Sequence, residues 1–201
     1  MNWDQKTIHT YDKSAKALAD YFKGIGARVY DIELGLKLAN KETGARVVEI
    51  GCGDGRDTSE IIKRVSWYEG FDPSEGLLQL ARRKLPGEKF VNATAQTYDY
   101  PPAVDVVFAF ASLLHVNKKD LRVVFDKVYD SLVFGGIFFI SLKERPRYVE
   151  EVKSDAFGER MFYYYSVDDI TRIASSKFKL VYEDHQKIGE TDWFTVALKK
   201  V

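Results

Sequence analysis

The stretch that decides the fold is Val47-Val48-Glu49-Ile50-Gly51-Cys52-Gly53-Asp54-Gly55, followed by Arg56-Asp57-Thr58. A β-branched apolar run ends at a carboxylate, glycines recur at alternate positions, and a helical pattern opens: a buried strand, a tight turn and a helix start. Glycine lets the backbone turn sharply and lets a ligand lie directly on it, because no Cβ intervenes. This is the layout of a nucleotide-type site at the carboxyl end of a parallel strand. A dinucleotide fits it poorly. Its pyrophosphate fingerprint needs Gly-x-Gly-x-x-Gly, and Arg56 stands where the last of those glycines belongs. The loop is also acidic, with Glu49, Asp54 and Asp57 beside the turn. Carboxylates would repel a phosphate and suit a ligand carrying positive charge.

Working outward, Trp67-Tyr68-Glu69-Gly70-Phe71-Asp72 reads as the second strand. An acid closing that strand about twenty residues beyond the glycines can accept both hydroxyls of a ribose. Glu49-x-Gly51-x-Gly53-x-Gly55 followed by Asp72 resembles the class I S-adenosylmethionine-dependent methyltransferases. Gly55-Arg56-Asp57, Ser112-Leu113-Leu114-His115-Val116 and Phe162-Tyr163-Tyr164-Tyr165 are similar to a bacterial small-molecule subgroup. The resemblance covers nearly the whole chain. It implies methyl transfer from S-adenosylmethionine, leaving S-adenosylhomocysteine, to the oxygen or nitrogen of a small acceptor.

The resemblance also implies site residues. Glu49, Gly51, Cys52, Gly53, Gly55 and Arg56 form the cofactor turn, with Cys52 as a small filler. Asp72 and Pro73 follow the second strand, and Thr94, Ala95 and Gln96 lie over adenine. Ala111 and Ser112 follow the fourth strand, and Tyr11 adds a contact from the amino-terminal segment. The family often has an acid at the Thr94 position; threonine accepts a bond from the adenine amino group more weakly. His115 is a candidate edge of the cofactor site, acceptor contact or general base for an acceptor hydroxyl or amine, or else packs on the sheet and bonds a carbonyl. Tyr163 and Tyr165 are candidate acceptor contacts, or else part of a strand on the core. No metal is expected.

The chain has 201 residues, 45% of them hydrophobic, with 30 basic against 30 acidic side chains. That supports one domain, 1–201, with a full core, and gives no basic stripe for nucleic acid. Cys52 is the single cysteine, so a reducing, cytoplasmic setting is expected, with no signal peptide or membrane span. A monomer or homodimer would serve.

Ser14 is placed to cap a helix reaching about Phe22, and Val29, Ile32, Leu36 and Ala39 share a face of a second helix ending near Thr43-Gly44. Residues 1–12 show no pattern. The segment of about 1–40 either covers the sheet or flaps over the ligand, with Gly24 and Gly26 as a hinge. Ile61, Ile62 and Val65 mark a helix after the first strand, and Ser74 caps the next. Val104–Phe110 is a strand buried on both faces. The fold expected is Rossmann-like and doubly wound: five parallel strands plus a carboxyl-terminal antiparallel pair, the seven-stranded class I architecture. Residues 144–165, charged and then aromatic, interrupt the rhythm on the acceptor side. The alternatives are a non-catalytic module binding S-adenosylmethionine or S-adenosylhomocysteine, and a nicotinamide oxidoreductase, which Arg56 and the acidic loop disfavour.

Overall fold

The computed structural model describes residues 3–201. Met1 and Asn2, the start of the expected flap, lie outside the described residues. Helices α1 (Trp3–Lys13), α2 (Ala15–Lys23) and α3 (Val29–Leu38) precede β1 (Ala45–Ile50). Then come α4 (Thr58–Ile61), β2 (Val65–Asp72), α5 (Glu75–Lys84), β3 (Phe90–Asn92) and β4 (Val104–Phe110). The second half holds α6 (Lys118–Ser131), β5 (Leu132–Lys143), β6 (Val149–Asp155), β7 (Gly158–Tyr164), α7 (Val167–Ala174), β8 (Phe178–Ile188) and β9 (Thr191–Lys200).

Seven strands form one sheet in the order β3-β2-β1-β4-β5-β9-β8. The first five run parallel, and β9 joins β5 and β8 antiparallel. Order reverses between β1 and β4, and the crevice at such a switch point is where open α/β sheets bind ligands. Every residue of β4 is buried, as a central strand covered on both faces requires. One core cluster takes Val48, Val107, Phe138 and Val196; the other takes Val47, Val106, Phe139 and Ala197. Among the described residues no helix is long and apolar enough to cross a membrane.

Four local expectations are corrected. Residues 3–13 are helical, and α1 runs almost straight into α2, with the Ser14 N–H donating to the Thr10 carbonyl at 3.1 Å. Ser14 makes no side-chain cap; its hydroxyl donates instead to the Phe157 carbonyl at 2.8 Å. The helix after β1 is one turn, and Val65 opens β2. There Ser66 Oγ reaches the Gly44 carbonyl at 2.8 Å and ties the strand down early. In α3, Ile32 and Leu36 are buried but Val29 is exposed; the helix ends at Leu38, and Asn40 follows in the left-handed region, φ 54°.

Residues 144–165 are mostly a β6–β7 hairpin, separate from the main sheet. It packs against α1 and against the turn at Leu113–His115 that follows β4. Helix α7 starts with a reciprocal capping box between Ser166 and Asp169, and α5 with Ser74 Oγ accepting from the Leu77 N–H at 3.2 Å.

Candidate active site

The glycine turn is built by backbone bonds. The Gly51 and Cys52 N–H groups both donate to the Phe71 carbonyl, at 2.8 and 3.1 Å, tying the end of β1 to the end of β2. Gly51 has φ 72°, and a Cβ there would stand 2.3 Å from Ser112 Cβ. At Gly53, φ 57°, a Cβ would meet nothing within 4 Å: the chain there is bare toward open space. Asp72 is buried, and both its oxygens are held. Oδ2 accepts from the Gly53 N–H at 3.1 Å and Oδ1 from the Ser74 N–H at 2.8 Å. Burial outweighs those two bonds and pushes its pKa up to about 6.

The turn and Asp72 border a cavity of about 440 Å³, within the size range of small-ligand pockets. Of the residues singled out in the sequence, Gly51, Cys52, Gly53, Arg56, Asp72 and Pro73 line it on the β1–β2 side. Thr94, Ala95, Gln96, Ala111 and Ser112 line it from the loops after β3 and β4, and Tyr11 and His115 from the other wall. The Thr94 hydroxyl is engaged with Thr97 Oγ1 at 2.9 Å. The Cys52 thiol is buried and its pKa is raised by that burial and by Glu49, which suits a filler rather than a nucleophile.

Four candidates are not brought to the cavity. Glu49 is buried behind the turn, where its Oε2 accepts from Tyr68 Oη at 2.6 Å and Thr58 Oγ1 at 2.7 Å. Burial, with the Asp57 charge, pushes its pKa up to about 8. Gly55 faces α5, with Leu85 Cδ1 3.2 Å from where a Cβ would stand. Tyr163 stacks on Tyr148. Tyr165 is fully buried, its hydroxyl donating to the Val116 carbonyl at 2.6 Å. An apolar hairpin face has to be covered by core, and these rings serve it.

Other lining residues carried no sequence signal. Thr7, Ile8 and Phe22 come from α1 and α2, and Asp4 and Asp120 add two more carboxylates to Asp54 and Asp57. Behind the Tyr11 wall lies Arg160 of β7, buried, paired with Asp155, and donating to Tyr11 Oη at 3.3 Å. Tyr11 Oη stands 2.8 Å from His115 Nε2, and His115 Nδ1 2.5 Å from the Met161 carbonyl oxygen.

Fitted against an adenosyl sulfonium, the donor set is consistent. Among the described residues, Asp72 offers carboxylate lone pairs beside a bare Gly53 backbone, Ser112 Oγ is buried without a partner, and the lining carboxylates outnumber the one lining cation, Arg56. Arg56 is itself paired with Asp57, which offsets its charge.

Residues 47–136 match a sequence-family model described as a methyltransferase domain. The seven-stranded sheet, five strands parallel and the last two antiparallel, is that of the class I S-adenosylmethionine-dependent methyltransferase fold. Among curated proteins it is 32% identical over 101 residues to a trans-aconitate 2-methyltransferase of Rhizobium rhizogenes, covering 49% of this chain and 39% of that protein. One from Rhodopseudomonas palustris is 41% identical over 70 residues, 33% of this chain and 27% of that one. The matched segment thus spans well under half the length of these relatives. Solved structures share the fold. A 1,6-didemethyltoxoflavin-N1-methyltransferase of Burkholderia thailandensis aligns with TM-score 0.77 at 16% identity over 98% of this chain and 89% of that one. An S-adenosylmethionine-dependent methyltransferase of Clostridium acetobutylicum aligns with TM-score 0.69 at 16% identity over 99% of both chains.

Proposed function

We propose that this protein transfers a methyl group from S-adenosylmethionine to the oxygen or nitrogen of a small molecule. The observation that carries the reading is the Asp72 carboxylate, fixed by the Gly53 and Ser74 N–H groups beside an unobstructed glycine backbone. A carboxylate with spare lone pairs at a strand end is the group that takes a ribose diol. The bound sulfonium would supply an already activated methyl group, so the protein need only orient donor and acceptor and exclude water. Ile50, Phe71 and Phe110 supply apolar wall, and α1 closes the side opposite the glycine turn. The segment of α1 and α2 is read as a cover on the ligand and the β6–β7 hairpin as the acceptor side of a single domain.

The acceptor is read as a small molecule, and a cytoplasmic setting and a monomer or homodimer go with that reading. The curated relatives are named for trans-aconitate, which makes it the first acceptor to try. The family match ends at residue 136 and includes neither α1 nor the hairpin, so the acceptor is read from those two segments. A non-catalytic module binding the same cofactor is the second reading, favoured by the bonded state of both His115 nitrogens.

Stabilisation by S-adenosylhomocysteine but not by NAD in a thermal-shift panel tests the cofactor. Label transfer from methyl-labelled S-adenosylmethionine into a metabolite extract, with trans-aconitate run separately, tests the activity. Binding without any label transfer would favour the module.

A further inference from the structure

We propose that His115 is a positioning residue rather than a general base, and that it fixes the Tyr11 hydroxyl so that its oxygen meets the methyl acceptor only as a hydrogen-bond acceptor. The name given to that ligand rests on the methyltransferase reading; the proton assignment does not. The Met161 carbonyl oxygen carries no hydrogen, so the Nδ1 that lies 2.5 Å from it must be the N–H. A neutral imidazole has one such proton, which leaves Nε2 as a lone pair. Tyr11 Oη, 2.8 Å away, therefore donates its single proton to Nε2. Guanidinium only donates, so the Arg160 N–H at 3.3 Å takes a lone pair of the same oxygen. What Tyr11 has left for the cavity is a lone pair.

The surroundings hold the ring in this state. Tyr11 faces it from α1, Arg160 and the Phe162 ring from β7, and Lys143 from β5; the Phe162 centroid is 4.7 Å from the imidazole and 4.4 Å from Lys143 Nζ. The Asp155 and Asp72 carboxylates act on Tyr11, and Asp155 is paired with Arg160; Asp4 and Asp120 line the same cavity. Burial, then the Arg160 and Lys143 charges, push the histidine down to about 3. A protonated His115 would face two cations. Its lone pair is also out of reach unless the Tyr11 bond breaks. The ligand group that suits the Tyr11 oxygen is an uncharged N–H or O–H donor, since an ammonium would sit against Arg160 and Lys143.

The test is nitrogen-15 NMR of histidine-labelled protein without added ligand, the His115 signal being assigned by its loss in His115→Gln. The expected result is an Nδ1–H tautomer that does not titrate from about pH 8 to about pH 5, with an Nε2 resonance that moves in Tyr11→Phe. An Nε2–H tautomer, a midpoint between about pH 6 and pH 7, or an Nε2 signal indifferent to Tyr11→Phe overturns the proposal. A kinetic arm uses labelled S-adenosylmethionine over the metabolite extract. The glutamine amide oxygen can still accept from Tyr11, so His115→Gln should stay within about threefold of the parent while His115→Leu loses about tenfold or more. Equal, hundredfold-scale loss in both would mark a general base. Absence of label transfer by the parent protein would count against the methyltransferase reading alone, and the NMR result would still decide the histidine's role.

Discussion

The two walls of the cavity are made in different ways. The glycine-turn wall is local: Asp72 binds Gly53, 19 positions away, and Ser74, two away. The other wall is assembled from two segments far apart in the chain, α1 and β7. Thr10 Oγ1 donates to the Glu159 carbonyl at 2.7 Å, 149 positions off, and the Met161 N–H donates to Thr7 Oγ1 at 3.0 Å, 154 positions off. Local geometry writes itself into spacing. Contacts between distant segments need no spacing at all.

The largest effect that would break the comparison is expected at the local wall. Gly51→Val combines a left-handed φ with a Cβ 2.3 Å from Ser112 Cβ, and should cost about 4 kcal/mol by denaturant unfolding. Gly53→Ala, strained but unobstructed, should cost only about 1 kcal/mol yet weaken S-adenosylhomocysteine binding. If Gly53→Ala proves as costly as Gly51→Val, the turn is not open there.

Next comes Tyr165→Ala on the assembled side, expected to cost about 3 kcal/mol because it empties a fully buried site, with Tyr165→Phe costing about 1 kcal/mol for the Val116 bond. Unchanged stability with lost turnover would return the residue to the acceptor site.

A pH series sharpens the local wall. Asp72 keeps its proton in the folded protein up to about pH 6, above its value of 3.8 when unperturbed. Between those values the folded state binds the more protons, so this group's contribution to stability falls as pH rises and then levels off. Affinity for S-adenosylhomocysteine should change the other way, rising as the carboxylate forms. Parallel trends in melting temperature and affinity would contradict this.

The smallest effect is expected for Glu49→Gln. Burial holds Glu49 protonated near neutral pH, so the neutral isostere should shift stability by less than about 1 kcal/mol. A loss several times larger would mean that Glu49 works as an anion.

The legible parts of the sequence match this division. The glycine turn, the acid closing β2, the doubly buried β4 and the caps Ser74 and Ser166 each carry a signal within a few residues. Helix α1 was illegible because its most buried positions include Thr7 and Thr10, held by hydroxyl bonds, so no apolar stripe marks it. The hairpin was illegible because β6 is charged and half exposed along its length, while β7 buries aromatic rings that read equally well as an acceptor pocket. Nothing within a few residues of Arg160 marks it off from the other charged side chains of 144–165. Its burial depends on α1, far away in sequence.

Calorimetric titration with S-adenosylhomocysteine, comparing the parent protein with Asp72→Ala, tests the central claim most directly. The account predicts measurable binding by the parent and a loss of about tenfold or more in the variant, with the circular-dichroism spectrum unchanged. Equal dissociation constants in the two proteins, or no binding by the parent, would contradict it.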